Sequence, residues 1–186
     1  GVRELAALRD RRGMRALLAV SIAAADVEDF AALVRGFDPV ADLIELNLSC
    51  PHSPDGSGLA AARDAVEVEA LLRRLRTLTR RPLIAKLSPM YADIGRVAAA
   101  AVRGGADGLA AVNTVGPEVF REPGSGLPLL GSPVGGGRSG RWIAETALQK
   151  IREIRGAVGL RPLVIGMGGV ETAAHVREMR AAGADV

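Results

Sequence analysis

The run Asn47-Leu48-Ser49-Cys50-Pro51 concentrates more chemistry than any other stretch of this 186-residue chain. It holds the one cysteine, Cys50, with Ser49 immediately before it, Asn47 three residues before it and a proline just after. It follows Leu43-Ile44-Glu45-Leu46, which reads as a buried strand. An ionisable thiol among hydrogen-bonding side chains at the C-terminal end of a strand sits where α/β proteins place their chemistry. A thiol with a pKa of about 8.5 is mostly protonated at neutral pH. To act as a base it needs activation by its surroundings or a substrate with an acidic C–H. Taken alone, Cys50 fits a small buried hydrophobe equally well.

Three further groups extend this chemistry. Lys86 lies inside the apolar run Leu83-Ile84-Ala85-Lys86-Leu87, in a chain whose only other lysine is Lys150. An ammonium there is costly unless paired. It either reaches solvent from the strand end or meets an anionic partner such as a cofactor oxygen. Asn113-Thr114 closes a later strand as Asn47 closes an earlier one, so both amides are expected at one mouth, where they suit a planar ligand carrying C=O and N–H groups. Taken alone, Asn113 fits a turn-forming asparagine as well. Two glycine clusters, Gly135 to Gly140 and Gly166-Met167-Gly168-Gly169, each precede a helix. Bare backbone N–H groups at such places bind phosphate, and successive late loops of this kind match a frequent barrel phosphate site. His52 reads as a loop histidine or a ligand contact, and His175 as a structural residue on a helix. No His/Cys/Asp cluster has metal-ligand spacing, so no metal is expected.

The elements that position these residues follow from periodicity. Strands are predicted over Ala16 to Ile22, Leu43 to Leu48, Leu83 to Leu87, Gly108 to Val112 and Leu163 to Ile165. Helices are predicted over Val27 to Gly36, Ala65 to Thr79, Ala92 to Arg103, Arg141 to Ala157 and Thr172 to Ala182. Thr114 to Gly140 reads as a long Gly- and Pro-rich loop of the functional kind. Arg103-Gly104-Gly105-Ala106-Asp107 is echoed in Ala181-Ala182-Gly183-Ala184-Asp185, and the last residues read as the start of a sixth strand. Regular βα repetition implies a parallel sheet with outer helices. A doubly wound sheet and a partial (β/α)8 TIM barrel both fit, although no GxGxxG follows the first strand.

Composition narrows the class. The chain is 48% hydrophobic but 3% aromatic, so its core is aliphatic. One domain with a sizeable core fits this length. No apolar run approaches the ~20 residues of a membrane span. A single cysteine suits a reducing, cytoplasmic location. The net charge of +3 comes from arginines on predicted helical faces, without the aromatic interleaving of a nucleic-acid surface.

Taken together, Glu45-Leu46-Asn47-Leu48-Ser49-Cys50-Pro51, Ala85-Lys86-Leu87-Ser88-Pro89, Asn113-Thr114-Val115, Gly136-Gly137-Arg138-Ser139-Gly140 and Ile165 to Thr172 resemble the dihydroorotate dehydrogenase family, in its cysteine-base class. The flavin domain of dihydropyrimidine dehydrogenase shares the pattern, and Ser49-Cys50-Pro51-His52 is similar to its version. The resemblance implies an FMN-binding (β/α)8 barrel oxidising dihydroorotate to orotate in pyrimidine biosynthesis. Cys50 would take a proton from C5 of the dihydropyrimidine while C6 gives a hydride to the flavin. Ser21, Asn47, Lys86, Val112, Gly140, Gly168 and Gly169 would meet the cofactor. Asn47, Leu48, Ser49, Asn113 and Thr114 would meet the substrate. A homodimer or an iron–sulfur electron-transfer subunit would be the protein partner, and fumarate, NAD or another oxidant the acceptor. Uracil or thymine reduction and a flavin-free phosphate-binding barrel remain the alternatives. His52 stands where the family often has Asn, Arg141 where it usually has Pro, and Ser21 where some members carry a flavin-binding Asn. The resemblance also implies a chain lacking N- and C-terminal parts of the barrel, and hence poorly stable and weak in FMN binding on its own.

Overall fold

The computed structural model describes residues 1–9, 16–49, 62–131 and 135–186. In chain order the elements are α1 (Val2–Arg9), β1 (Ala19–Ile22), α2 (Val27–Phe37), β2 (Leu43–Asn47), α3 (Ala65–Arg76), β3 (Leu83–Leu87), α4 (Ile94–Gly104), β4 (Gly108–Ala111), β5 (Val115–Glu118), β6 (Gly136–Arg138), α5 (Ala144–Val158), β7 (Leu163–Gly166) and α6 (Ala173–Ala182). A 3₁₀ turn, Gly140–Ile143, leads into α5.

The main sheet has strand order β1-β2-β3-β4-β7, and every pair in it is parallel. A doubly wound sheet reverses its strand order at a switch point. This one never does. Helices α2 to α6 pack against one another in succession, which places them on a single face. The fold is therefore α/β and singly wound, a partial (β/α)8 barrel.

Register separates the two faces of the sheet. Val20, Ile22, Ile44, Leu46, Leu83, Ala85, Leu87, Leu109, Ala111 and Val164 alternate toward the helices and are buried there. They meet Phe30, Val34, Leu71, Leu72, Leu75, Ile94, Ile151 and Ile154 from the helical layer. Aliphatic side chains that alternate along short strands and recur at helical spacing leave no other way to bury both sets. The opposite, inner face carries the buried Ile84 and Ala110 together with Ser21, Glu45, Asn47, Lys86 and Ile165, and none of these last five is fully buried.

The starts of α2, α3, α4 and α6 are each fixed by a short polar side chain. Asp26 accepts the N–H of Asp29, Asp64 those of Val66 and Glu67, Asp93 that of Arg96, and Thr172 that of His175. These caps satisfy orphan donors of the first turn.

The lower rim repeats one device three times. The Asp107 N–H donates to the carbonyl of Leu83 (2.9 Å) while its Oδ2 accepts the Leu83 N–H (2.8 Å). Asp185 does the same with Val164, at 2.8 Å for each bond. Asp42 does it with Leu18, at 2.9 and 2.8 Å. Two of these carboxylates also hold a guanidinium, Arg76 on Asp107 (2.8 Å) and Arg155 on Asp185 (2.6 Å). Each arginine spends its other donors on loop carbonyls, of Thr79 and Arg81 for Arg76 and of Gly159, Pro162 and Gly183 for Arg155. The Val164 N–H, and after it Arg155, holds the Asp185 carboxyl below its ordinary range. The Gly-Ala-Asp echo in the sequence is this clip.

The sequence expectation differs from the structure chiefly over Thr114 to Gly140. That segment contains an antiparallel hairpin of β5 and β6, with Val115 opposite Arg138 and Glu118 opposite Gly136. Strands of four and three residues containing Pro117 and three glycines contradict ordinary strand composition. Gly137 is nevertheless suited to its place, because a Cβ there would collide with the Thr114 side chain. Helix α1 was also not expected, and α3 ends at Arg76 rather than at Thr79.

Candidate functional site

The C-terminal ends of β2, β3 and β4 bring the predicted polar residues together. Asn47 and Lys86 are register partners on adjacent strands. Past β4, the Asn113 N–H donates to the carbonyl of Leu87 (2.9 Å), which carries the chain along β3 and turns the Asn113 side chain back toward β2. Its Nδ2 donates to Asn47 Oδ1 (2.8 Å), the Ser49 carbonyl (2.9 Å) and Ser49 Oγ (2.6 Å). Three acceptors around one nitrogen fix the amide's orientation. Its Oδ1 accepts the Thr114 N–H (2.9 Å), and Asn47 Oδ1 also accepts the Ser49 N–H (3.3 Å). Leu48 and Ser49 are buried beneath this network. Cys50 and His52 lie outside the described residues.

Below the amides runs a charged row across the inner face. Ser21 Oγ donates to Glu45 Oε1 (2.7 Å), and that same oxygen lies 3.6 Å from Lys86 Nζ. Both charged side chains are mostly withdrawn from water, at 22% exposure for Lys86 and 16% for Glu45. At 3.6 Å the pair is ionic without a hydrogen bond. Lys86 therefore reaches neither solvent alone nor an apolar void.

The two glycine clusters meet. Gly169 has φ +72°, and a Cβ there would lie 2.6 Å from the Cβ of Ala144, the first residue of α5. The turn after β7 thus lies against the segment that follows the Gly135 to Gly140 cluster. Ser139, which precedes the 3₁₀ turn, makes no capping bond with its side chain, and Gly140 has φ +76° with open space where a Cβ would stand. The glycine surface also adjoins the amide cluster. Met167 donates to the Ala111 carbonyl (2.7 Å) and accepts from Val112 (2.9 Å), so Asn113 and Gly168 each follow a paired residue on neighbouring strands. The hairpin leans on the same rim through Thr114, and is tied by an Arg138–Glu118 ion pair with Arg138 over the Phe120 ring at 5.4 Å.

Glu45 is the residue that sequence reasoning missed. A carboxylate inside Leu43-Ile44-Glu45-Leu46 carries the same signal as Lys86, a charge alternating into an apolar strand. His175 takes a local role, its Nδ1 accepting the Glu171 N–H (3.1 Å). No helix among the described residues is long and apolar enough to cross a membrane.

An upper rim of amides, one lysine and two glycine turns lies on a singly wound α/β barrel, at the end where barrels of this kind carry their ligands. The family model described as dihydroorotate dehydrogenase matches residues 2–186, and the chain belongs to that family. It is 38% identical over 165 residues to the dihydroorotate dehydrogenase B (NAD(+)) catalytic subunit of Pyrococcus horikoshii, covering 89% of this chain and 53% of that one. It is 36% identical over 167 residues to dihydroorotate dehydrogenase A (fumarate) of Lacticaseibacillus paracasei, covering 88% and 55%. A solved structure of DHODH from Eimeria tenella in complex with ferulenol matches with a TM-score of 0.76 at 20% identity, over 98% of this chain and 56% of that one, a likeness of fold. The chain spans about half the length of the curated relatives it matches.

Proposed function

We propose that the protein is an FMN-dependent oxidoreductase that converts dihydroorotate to orotate in pyrimidine biosynthesis. The observation that carries this reading is the Asn47–Ser49–Asn113 cluster beside Lys86, at the positions where the family motifs stand.

The residues present suit FMN. Gly140, Gly168 and Gly169 offer bare backbone beside an uncapped helical turn, the donor set a phosphate needs. Lys86 makes no hydrogen bond to a described residue, so its ammonium donors are available to a ring oxygen. Ser21 and Val112 complete the cofactor set. When bound, FMN supplies a hydride acceptor. The protein's own residues do the rest. Asn47, Leu48, Ser49, Asn113 and Thr114 hold the pyrimidine ring, and Asn47 and Asn113 orient it through their amides. Cys50 removes the C5 proton. Lys86 opposes negative charge that develops nearby, where exclusion of water makes its field strong.

A base of this kind contributes about 10²–10⁴-fold. Cys50→Ser is expected to slow dihydroorotate oxidation within that range with flavin retained. Unchanged turnover would remove Cys50 from the role. The Ser49-Cys50-Pro51-His52 run favours a second reading, uracil or thymine reduction. Orotate carries a carboxylate that uracil lacks, so comparing the affinity of the two separates them. The proposed setting is cytoplasmic. Relatives named catalytic subunits support an electron-transfer partner, an iron–sulfur subunit working with NAD, over a self-sufficient homodimer. Reduction of NAD only when such a subunit is added would support it, and direct turnover with fumarate would not.

A further inference from the structure

Within the named strands β1 to β4, Glu45 and Lys86 are the only charged residues on the inner face. A carboxylate largely withdrawn from water needs partners. Glu45 has two, and both act on Oε1: the Ser21 hydroxyl from β1 at 2.7 Å and the Lys86 ammonium from β3 at 3.6 Å. The hydroxyl therefore pins the oxygen that faces the ammonium. The pairing is also loose enough to leave all three Lys86 donors for another acceptor.

We propose that Glu45 is a positioning residue that anchors Lys86 at the floor of the site and offsets part of its charge. In doing so it limits how strongly the site favours a reduced, anionic flavin over an oxidised one. This rests on the flavin reading above. Lys86 attracts the extra negative charge of the reduced ring, and Glu45 both repels that charge and draws the ammonium away from it. Without the carboxylate, Lys86 acts on the ring uncompensated.

The test is Glu45→Gln, which keeps the side chain's shape and its bond to Ser21, with Ser21→Ala as a milder second variant. The midpoint potential of bound flavin is measured in both. In Glu45→Gln the preference for the reduced form is expected to rise about tenfold, a positive shift of about 30 mV for a two-electron couple. Ser21→Ala is expected to shift it less, in the same direction. In a Lys86→Met background the effect of Glu45→Gln is expected to fall below half, which a merely structural role would not produce. A second readout needs no flavin. With two lysines in the chain, ¹³C-lysine labelling gives one Cε signal each, and Glu45→Gln is expected to displace that of Lys86 while Lys150 serves as the control. An unmoved Lys86 signal, or an unmoved potential in a variant that binds flavin normally, overturns the assignment of Glu45. A wild-type protein that binds no flavin overturns the underlying reading instead.

Discussion

The Asn113 side-chain nitrogen lies 2.8 Å from Oδ1 of Asn47, and this one bond joins the end of β2 to the end of β4 above the intervening β3. Neither asparagine is free to turn, since Ser49 supplies two further acceptors to the same nitrogen. The mouth of the site is thus set before any ligand arrives, which lowers the ordering cost of binding.

Removing that nitrogen is the sharpest probe of the mouth. Asn113→Ala deletes partly buried hydrogen bonds that contribute about 0.5–1.5 kcal/mol each. It is expected to lower kcat/KM for dihydroorotate about 10- to 100-fold while flavin stays bound. Asn113→Asp is expected to be worse than alanine, because it turns a donor into an acceptor facing three acceptors. Steady-state kinetics on both variants decides it, and an aspartate variant better than the alanine one would sink the argument.

Gly169 and Gly140 both lie in the left-handed region but differ in surroundings. Gly140→Ala adds backbone strain alone, about 1–3 kcal/mol. Gly169→Ala adds the same strain and also drives a methyl into Ala144, which costs about 1–3 kcal/mol more. Denaturant midpoints should rank wild type above Gly140→Ala above Gly169→Ala. The same order is expected for FMN retention on dialysis.

The hairpin can be tested separately from the barrel. Gly137→Ala would push against Thr114, beside Asn113, while leaving the helical core untouched. The expected outcome is a reduced kcat/KM together with a loss of stability of about 1–3 kcal/mol, the usual cost of overpacking. A large loss of stability with normal kinetics would refute that division.

Acid should weaken the lower rim through Asp185. Its carboxyl is held below the ordinary 3.8 by the Val164 N–H first and then by Arg155. A carboxylate depressed in the folded state stabilises the fold above its unfolded pKa, and that contribution is lost as pH falls through the folded value. Thermal midpoints of the wild type should therefore drop faster than those of Asp185→Asn from about pH 5 downward. Parallel curves would exclude the clip as a source of acid sensitivity. Glu67 adds an effect of the same sign, since the Arg63 backbone N–H and then its side chain lower the carboxyl.

Much of the barrel was legible in the sequence because aliphatic alternation and Gly-Ala-Asp punctuation are local signals. The five parallel strands fall where period-two runs stand, and Asn47, Lys86 and Asn113 converge because each ends such a run. Winding was not legible: a doubly wound sheet and a barrel share the same βα rhythm, and only strand order separates them. The β5–β6 hairpin was hidden because Pro117, Gly136 and Gly137 oppose strand propensity, and the two glycines fit only against the Leu130 and Thr114 side chains across the folded hairpin. Glu45 carries the same local signal as Lys86, a charge inside an apolar run, but its partners lie on two other strands and no spacing rule names them.

Asp42, Asp107 and Asp185 each grip the main chain at Leu18, Leu83 and Val164, so the side chains at those three positions do not enter the bargain. A fastener indifferent to side-chain identity lets each βα module carry its own seam. Modules of this kind can be copied, exchanged or re-lettered one at a time without loosening their neighbours. The opposite rim is then at liberty to change its reagents while the foundation stays put.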